Sequence, residues 1–155
     1  MGKRVTVGDI FAILTTEGVC YGQVLHSHEK YKFVVGVFYD FPDKRPADFT
    51  DYVNRAPDYI TTFLIGHAVS QGLFSVVGNV PVAPCNAAFP TFRNANNPGQ
   101  GDATIWFFWN GEREWRAAGP LTEEQRRYPR GPSLPSAPMF LKLIQNQYRV
   151  ERDFL

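Results

Sequence analysis

The chain has 155 residues, of which 44% are hydrophobic and 20% are charged. This length and composition predict a single domain over residues 1–155, with enough apolar side chains to build a core. Sixteen Lys and Arg side chains oppose fifteen Asp and Glu side chains, so the formal net charge is +1. Because so small a charge cannot attract a polyanion over a distance, we do not expect a nucleic-acid or membrane partner.

The sequence contains no recognisable membrane span or export signal. Asp9 interrupts the apolar run after the basic start, and no stretch approaches the roughly 18 apolar residues of a transmembrane helix. Cys20 lies in a predicted strand, far in sequence from Cys85, so we expect two buried thiols and no disulfide. These features favour a reducing cytoplasm as the location of the protein.

The first predicted elements are three strands. Val7–Leu14 and Gly18–Leu25 are rich in β-branched and aromatic residues and flank turn-forming residues at 15–18, which predicts an antiparallel hairpin. Tyr31–Tyr39 alternates with the two-residue period of a third strand. Asp40–Tyr59 contains three prolines and predicts a long irregular connection, with one helical turn near Phe49–Val53.

The middle of the chain predicts two more strands and a long excursion. Tyr59–Ile65 and Leu73–Val77 have the composition of a fourth and a fifth strand. Asn79–Gly101 contains four prolines together with several Asn and Gly residues, so no regular structure is predicted there.

The last third of the chain predicts a hairpin and two short segments. Ala103–Trp109 is continuously apolar, and Asn110-Gly111 suits a type I′ turn that pairs Glu112–Arg116 with it. Pro120–Tyr128 predicts a short helix capped by Thr122, and Met139–Asn146 fits a helix or a strand, with the helix favoured. The predicted fold is therefore mainly β (α+β): a curled antiparallel sheet or small barrel with one or two short helices.

Catalytic and metal-binding patterns find little support. His26 and His28 are two residues apart and His67 is placed at a strand end, but no Cys or His spacing typical of zinc accompanies them. Surface histidines are the favoured interpretation, with an unfamiliar histidine enzyme as a weak alternative. No nucleophile motif surrounds Cys20, which is interpreted as a core residue. We therefore predict no catalytic residue, no metal and no cofactor.

The connection at residues 39–59 is the predicted partner-binding segment. It interleaves five Asp residues with aromatic side chains, and aromatic anchors inside a charged rim are typical of interface hot spots. Its acidity favours a basic partner. The alternative, held equally, is a solvated loop whose aromatic residues tuck beneath it. The predicted partner-binding residues are Tyr39, Asp40, Asp43, Asp48, Phe49, Asp51, Tyr52 and Asp58.

The opening hairpin also resembles a known family. Val7-Gly8-Asp9-Ile10-Phe11-Ala12-Ile13 and Tyr21-Gly22-Gln23-Val24 are similar to the start of bacterial immunity family 26, and Pro120-Leu121-Thr122-Glu123-Glu124 adds a less specific likeness. The middle of the chain is unmatched. The resemblance implies a cytoplasmic, β-rich immunity protein that binds a cognate toxin, such as a nuclease, and blocks its active surface. It implies no catalytic residue.

A second function class is a reader module. An SH3-like or Tudor-like domain would bind a peptide or nucleic-acid element through Tyr21, Tyr39 and one of Trp106, Trp109 and Trp115. Packing in the core is the favoured interpretation for most of these rings.

Overall fold

The computed structural model of the protein describes residues 4–96 and 104–150. These residues form eight strands in two open antiparallel sheets and three short α-helices, which confirms the mainly β class. The described strands close no barrel. The strands are β1 (Asp9–Thr15), β2 (Gly18–His28), β3 (Lys32–Phe38), β4 (Tyr59–Thr62), β5 (Ser75–Asn79), β6 (Phe92–Ala95), β7 (Trp106–Trp109) and β8 (Glu114–Arg116). The helices are α1 (Ile65–Ser70), α2 (Glu123–Arg126) and α3 (Ala137–Gln145), with a 3-10 turn at Pro84–Asn86.

The larger sheet has five strands in the order β4-β3-β2-β1-β5. Its centre is the predicted opening hairpin, in which Thr15 pairs with Gly18 at the turn. Gly18 has a φ of 126°, a conformation that glycine adopts without steric cost. The predicted third strand is present as β3. The predicted fourth strand is shorter than expected, because the chain leaves the sheet after Thr62 and begins α1 at Ile65.

One face of the larger sheet carries the main core. Phe11 of β1 lies against Phe74 and Phe140, with ring centroids 6.1 and 6.5 Å apart respectively. Phe63 stacks on Phe140 with centroids 4.1 Å apart. Phe140 and Ile144 are four residues apart in α3, so both point from the same side of that helix into the core.

The opposite face carries a smaller core beneath the connection between β3 and β4. Ile10, Tyr21 and Phe38 project from the sheet, and Phe49 and Val53 pack against them. The N–H of Val53 donates to the carbonyl oxygen of Phe49 at 3.1 Å, which confirms the predicted helical turn. The central strands are thus apolar on both faces.

The smaller sheet has the order β6-β7-β8. Its edge strand β6 lies where the sequence predicted no regular structure, and that prediction is wrong. The strand is short and contains polar Arg93 and Asn94, so it lacks the alternation that marks a strand. Pairing with the apolar β7 stabilises it instead, through the tertiary context on which strand formation depends.

The predicted hairpin of β7 and β8 is confirmed, but its turn is displaced by one residue. The N–H of Asn110 donates to the carbonyl oxygen of Arg113, so Gly111 and Glu112 are the central residues. Gly111 has a φ of 94° and Glu112 has no positive φ, which fits type II′ and corrects the predicted type I′. Oδ1 of Asn110 accepts from the N–H groups of Glu112 and Arg113, an arrangement that holds Asn110 at the first position of the turn.

The two helices predicted near the end of the chain are confirmed. Thr122 caps α2, where its side chain accepts from the N–H of Gln125 while the Gln125 side chain accepts from the N–H of Thr122. Ser136 caps α3, where its side chain accepts from the N–H of Met139. Helix α1 was not predicted, because residues 65–70 are too few to show a helical period.

Candidate partner-binding surfaces

The acidic residues of the predicted segment are divided between two environments. Asp40, Asp43, Asp48 and Asp51 are exposed to solvent. A hydrogen bond from the hydroxyl of Thr50 to Asp48, at 2.7 Å, lowers the pKa of that carboxyl below its ordinary value. These four carboxylates are available to a partner.

Asp58 is part of the internal framework instead. It accepts a 2.7 Å hydrogen bond from the N–H of Tyr39 and forms ion pairs with Arg55 at 3.0 Å and Arg149 at 2.9 Å. The hydroxyl of Tyr39 donates to the carbonyl oxygen of Tyr148 at 2.7 Å. Burial raises the pKa of Tyr39 above its ordinary value. Asp58 and Tyr39 therefore tie the end of the described chain to the larger sheet.

The aromatic residues of the segment turn inwards. Phe49 is 5% exposed and lies edge-on to Tyr21, with centroids 4.8 Å apart. The hydroxyl of Tyr52 accepts from the N–H of Tyr21 at 3.2 Å and donates to the carbonyl oxygen of Asp40 at 2.7 Å. Burial raises the pKa of Tyr52. For these rings, the arrangement matches the alternative in which the aromatic residues tuck beneath a solvated loop.

An exposed apolar surface adjoins this segment and was not predicted. Leu14 is 75% exposed and pairs with half-buried Val19 across the hairpin. Half-buried Ala12 and Val77 extend the surface along β1 and β5. The period of β1 is the signal that could have found it, because residues 10, 12 and 14 share the face opposite Phe11.

Asp40 and Asp51 belong to the segment that packs against the same cluster as this apolar surface. Tyr52 packs against the same cluster as Ala12, Val19 and Val77. Asp51 precedes Tyr52 in the chain, and the Asp40 carbonyl group is hydrogen-bonded to the Tyr52 hydroxyl. We call the combined surface the acid-rimmed strip, and it consists of Ala12, Leu14, Val19, Val77, Asp40 and Asp51.

A cleft between the two sheets forms a second charged region. It has a volume of about 550 Å³ and lies between the edge strand β4, the start of β6 and the chain that precedes and follows α3. We call it the arginine cleft. Its lining includes Asp58, Ile60, Arg93, Arg127, Arg130 and Arg149. The arginines are spread over residues 93–149 of the sequence, so no local sequence pattern predicted that they line one cleft.

The histidines are not assembled as a ligand set. Nε2 of His28 lies 2.9 Å from the carbonyl oxygen of Gly111, which joins β2 to the β7–β8 turn. Burial lowers the pKa of His26, while backbone groups of Asn86 and Ala88 partly oppose this shift. His67 lies in α1 and is exposed, which corrects its placement at a strand end. Residues 4–96 and 104–150 contain no group of three metal-ligating side chains.

The two cysteines differ in environment. Cys20 is fully buried in the main core, and this burial raises the pKa of its thiol to about 12. Cys85 is exposed in the 3-10 turn, which corrects the expectation of a second buried thiol. Both thiols are free.

Three of the aromatic residues named for a reader module pack against other parts of the protein. Tyr21 is 3% exposed and Trp106 is 7% exposed, and each packs within a core cluster. Trp109 is half-buried against His28 and Tyr31, with ring centroids 5.0 and 5.1 Å away respectively. This packing disfavours a binding mode in which Tyr21 presents its ring to a ligand.

Comparison of the chain with protein-family models, curated proteins and solved structures gives no match. The likeness to immunity family 26 therefore depends only on the residues that carry it. Within the part of the chain that the structure describes, no helix has both the length and the apolar character to cross a bilayer.

Proposed function

We propose that the protein is an immunity protein that binds a cognate bacterial toxin in the cytoplasm and blocks its active surface. The resemblance of the opening hairpin supports this proposal. The residues that carry it lie in β1 and β2, the central strands of the larger sheet. The likeness thus concerns the scaffold, and the contact surface must be inferred separately.

The acid-rimmed strip is the observation that carries the proposal. Leu14 projects from a rigid, hydrogen-bonded hairpin, so a partner can cover it at little cost in conformational entropy. Apolar residues at the centre of an interface with charged groups around them provide both affinity and orientation.

The charge of the neighbouring segment favours a basic partner. Since Asp58 holds Arg55 in an ion pair, the other exposed charges of the segment are four carboxylates and the cations Lys44 and Arg45. This excess of negative charge would speed association with a positively charged toxin, such as a nuclease, and added salt would slow it.

Co-expression with the product of the adjacent gene tests the proposal. We expect growth rescue together with co-purification, and we expect Leu14→Asp to weaken the complex by about 2 kcal/mol, roughly 30-fold. The variant should change the free energy of unfolding by no more than about 0.5 kcal/mol, because the side chain is exposed. Titration calorimetry and urea unfolding measure the two quantities.

Leu134→Asp is the matched control, because Leu134 is a leucine with 45% exposure outside the strip. It should rescue growth as the wild-type protein does. A harmless neighbouring gene product that also fails to bind would contradict the immunity proposal. Equal loss of affinity in both leucine variants would contradict the assignment of the strip.

A further inference from the structure

The arginine cleft concentrates positive charge around a single described acid. Arg93, Arg127, Arg130 and Arg149 line it, and Asp58 is the one carboxylate among its described lining residues. Asp58 is already ion-paired with Arg149 and with Arg55 outside the cleft. An anionic group entering the cleft would therefore meet an excess of guanidinium groups.

Arg93 fixes one wall of the cleft. Its side chain is fully buried, and it donates to the carbonyl oxygens of Tyr128 at 3.2 Å and Arg126 at 3.3 Å. Its guanidinium also lies 4.7 Å from the ring centroid of Trp106. Burial and, to a lesser extent, the cation of Arg130 lower the pKa of Arg93 to about 10. The fold thus holds cations close together, an arrangement that a bound anion would stabilise.

The segment that carries Arg130 is held in place by the backbone. The N–H of Arg93 donates to the carbonyl oxygen of Pro129 at 2.8 Å, and the N–H of Gly131 donates to the carbonyl oxygen of Arg93 at 3.0 Å. Arg130 therefore runs parallel to β6 as a bridge partner of Arg93. The backbone beneath the guanidinium of Arg130 is consequently fixed before a ligand arrives.

The opposite wall of the cleft is an open strand edge. Strand β4 is the outer strand of its sheet and pairs only with β3 among the described strands. The N–H of Phe63 donates to the carbonyl oxygen of Phe33. Because the backbone groups of an antiparallel strand alternate in direction, the N–H and C=O groups of Thr61 and Tyr59 also point towards β3. The N–H and C=O groups of Ile60 consequently point away from β3, on the side where Ile60 lines the cleft.

One end of this edge is closed. The hydroxyl of Thr62 is hydrogen-bonded to the backbone of Ser133, and the N–H of Ser133 lies 3.0 Å from that oxygen. The N–H of Asp58 donates to the carbonyl oxygen of Val37 at 2.9 Å and Pro57 has no N–H, so the available backbone groups of this edge are those of Ile60, with Asp58 and Pro57 beside it along the cleft. An extended ligand would lie along this stretch with the arginines beside it.

We propose that the arginine cleft binds an extended peptide segment with carboxylate side chains, which pairs with the edge of β4 while Arg127 and Arg130 contact its acids. Strand addition gives such a segment its backbone hydrogen bonds, and the arginines select its charge. This site is separate from the acid-rimmed strip and does not depend on the immunity proposal. A phosphate group alone would use the arginines and leave the strand edge unused.

Fluorescence anisotropy with the full chain tests the proposal. The probe is a labelled short peptide of alternating Glu and Val, and its control replaces every Glu by Gln. We expect the Glu peptide to bind at least about tenfold more tightly than the Gln peptide. The double variant Arg127→Gln/Arg130→Gln should lose that preference. The variant Arg4→Gln/Arg116→Gln removes the same charge from exposed residues outside the cleft and should retain it.

A third peptide isolates the strand edge. N-methylation of alternate residues in the Glu peptide keeps its charge and removes backbone donors, so binding should weaken by about tenfold in one of the two methylation registers. The proposal would be overturned if the wild-type protein bound the Glu and Gln peptides equally. It would also be overturned if Arg127→Gln/Arg130→Gln and Arg4→Gln/Arg116→Gln showed the same preference for the Glu peptide. Displacement by inorganic phosphate with no effect of methylation in either register would also overturn it, in favour of a simple anion site.

Discussion

The acid-rimmed strip and the arginine cleft are built in opposite ways. The strip lies on the β1–β2 hairpin, the adjoining strand β5 and the segment at residues 39–59, and its acids stand on exposed loop positions. The cleft joins residues from Pro57 to Val150, and one of its cations is fully buried. A net charge of +1 for the whole chain therefore conceals two separated regions of opposite sign. Net charge limits long-range attraction, but it does not describe local surfaces.

The largest expected effect concerns the wall of the cleft. Arg93→Ala should lower the free energy of unfolding by about 3 kcal/mol, because it removes charged hydrogen bonds and leaves a buried gap. Urea unfolding measures this change. Arg116→Ala, at an exposed position on β8, should stay within about 0.5 kcal/mol of wild type. If both variants have the same free energy of unfolding, Arg93 does not stabilise the wall of the cleft.

The next effect concerns the scaffold beneath the strip. A Cβ atom at Gly22 would lie 2.3 Å from Cζ of Phe11, its partner across the hairpin. Gly22→Ala should therefore cost about 1–3 kcal/mol through overpacking. Gly119 has no neighbouring atom within 4 Å of such a Cβ, so Gly119→Ala is the control and should be nearly neutral. Equal midpoints in thermal unfolding would show that the ring of Phe11 does not require glycine at this position.

The smallest effect is a pH dependence at the junction of the two sheets. Burial lowers the pKa of His26 in the folded state below the unfolded value of about 6.5. The unfolded chain therefore binds the proton more readily, and stability present at neutral pH is lost as the pH falls below about 6.5. His26→Gln should lose less stability than wild type between neutral and mildly acidic pH, whereas His67→Gln should follow wild type. Parallel plots of the free energy of unfolding against pH for wild type, His26→Gln and His67→Gln would exclude a contribution from His26.

Much of the fold could be predicted because its signals are local. The opening hairpin, the β7–β8 hairpin and the capped helix α2 each depend on neighbouring residues, such as Thr122 and Gln125. Strand β6 and helix α1 could not be predicted, because the first depends on pairing with β7 and the second is too short to show a period. The predicted strand start at Ala103 and the excursion from Asn97 to Gly101 lie outside the described residues.

The sites were harder to predict than the fold. Composition marked the segment at residues 39–59 but could not show that Phe49 packs inwards or that Asp58 pairs with Arg149. Leu14 could have been found from the period of β1. The arginine cleft could not have been, because Arg93 and Arg149 are brought together only by the packing of distant elements.

A crossed binding measurement tests the independence of the two regions most directly. The product of the adjacent gene and the alternating Glu peptide are each titrated against wild type, Leu14→Asp and Arg127→Gln/Arg130→Gln. We predict that Leu14→Asp weakens binding of the gene product about 30-fold and leaves the preference for the Glu peptide unchanged, while the arginine variant leaves binding of the gene product unchanged and loses that preference. If either variant impairs binding of both ligands while remaining folded, the two regions form one surface and do not act independently.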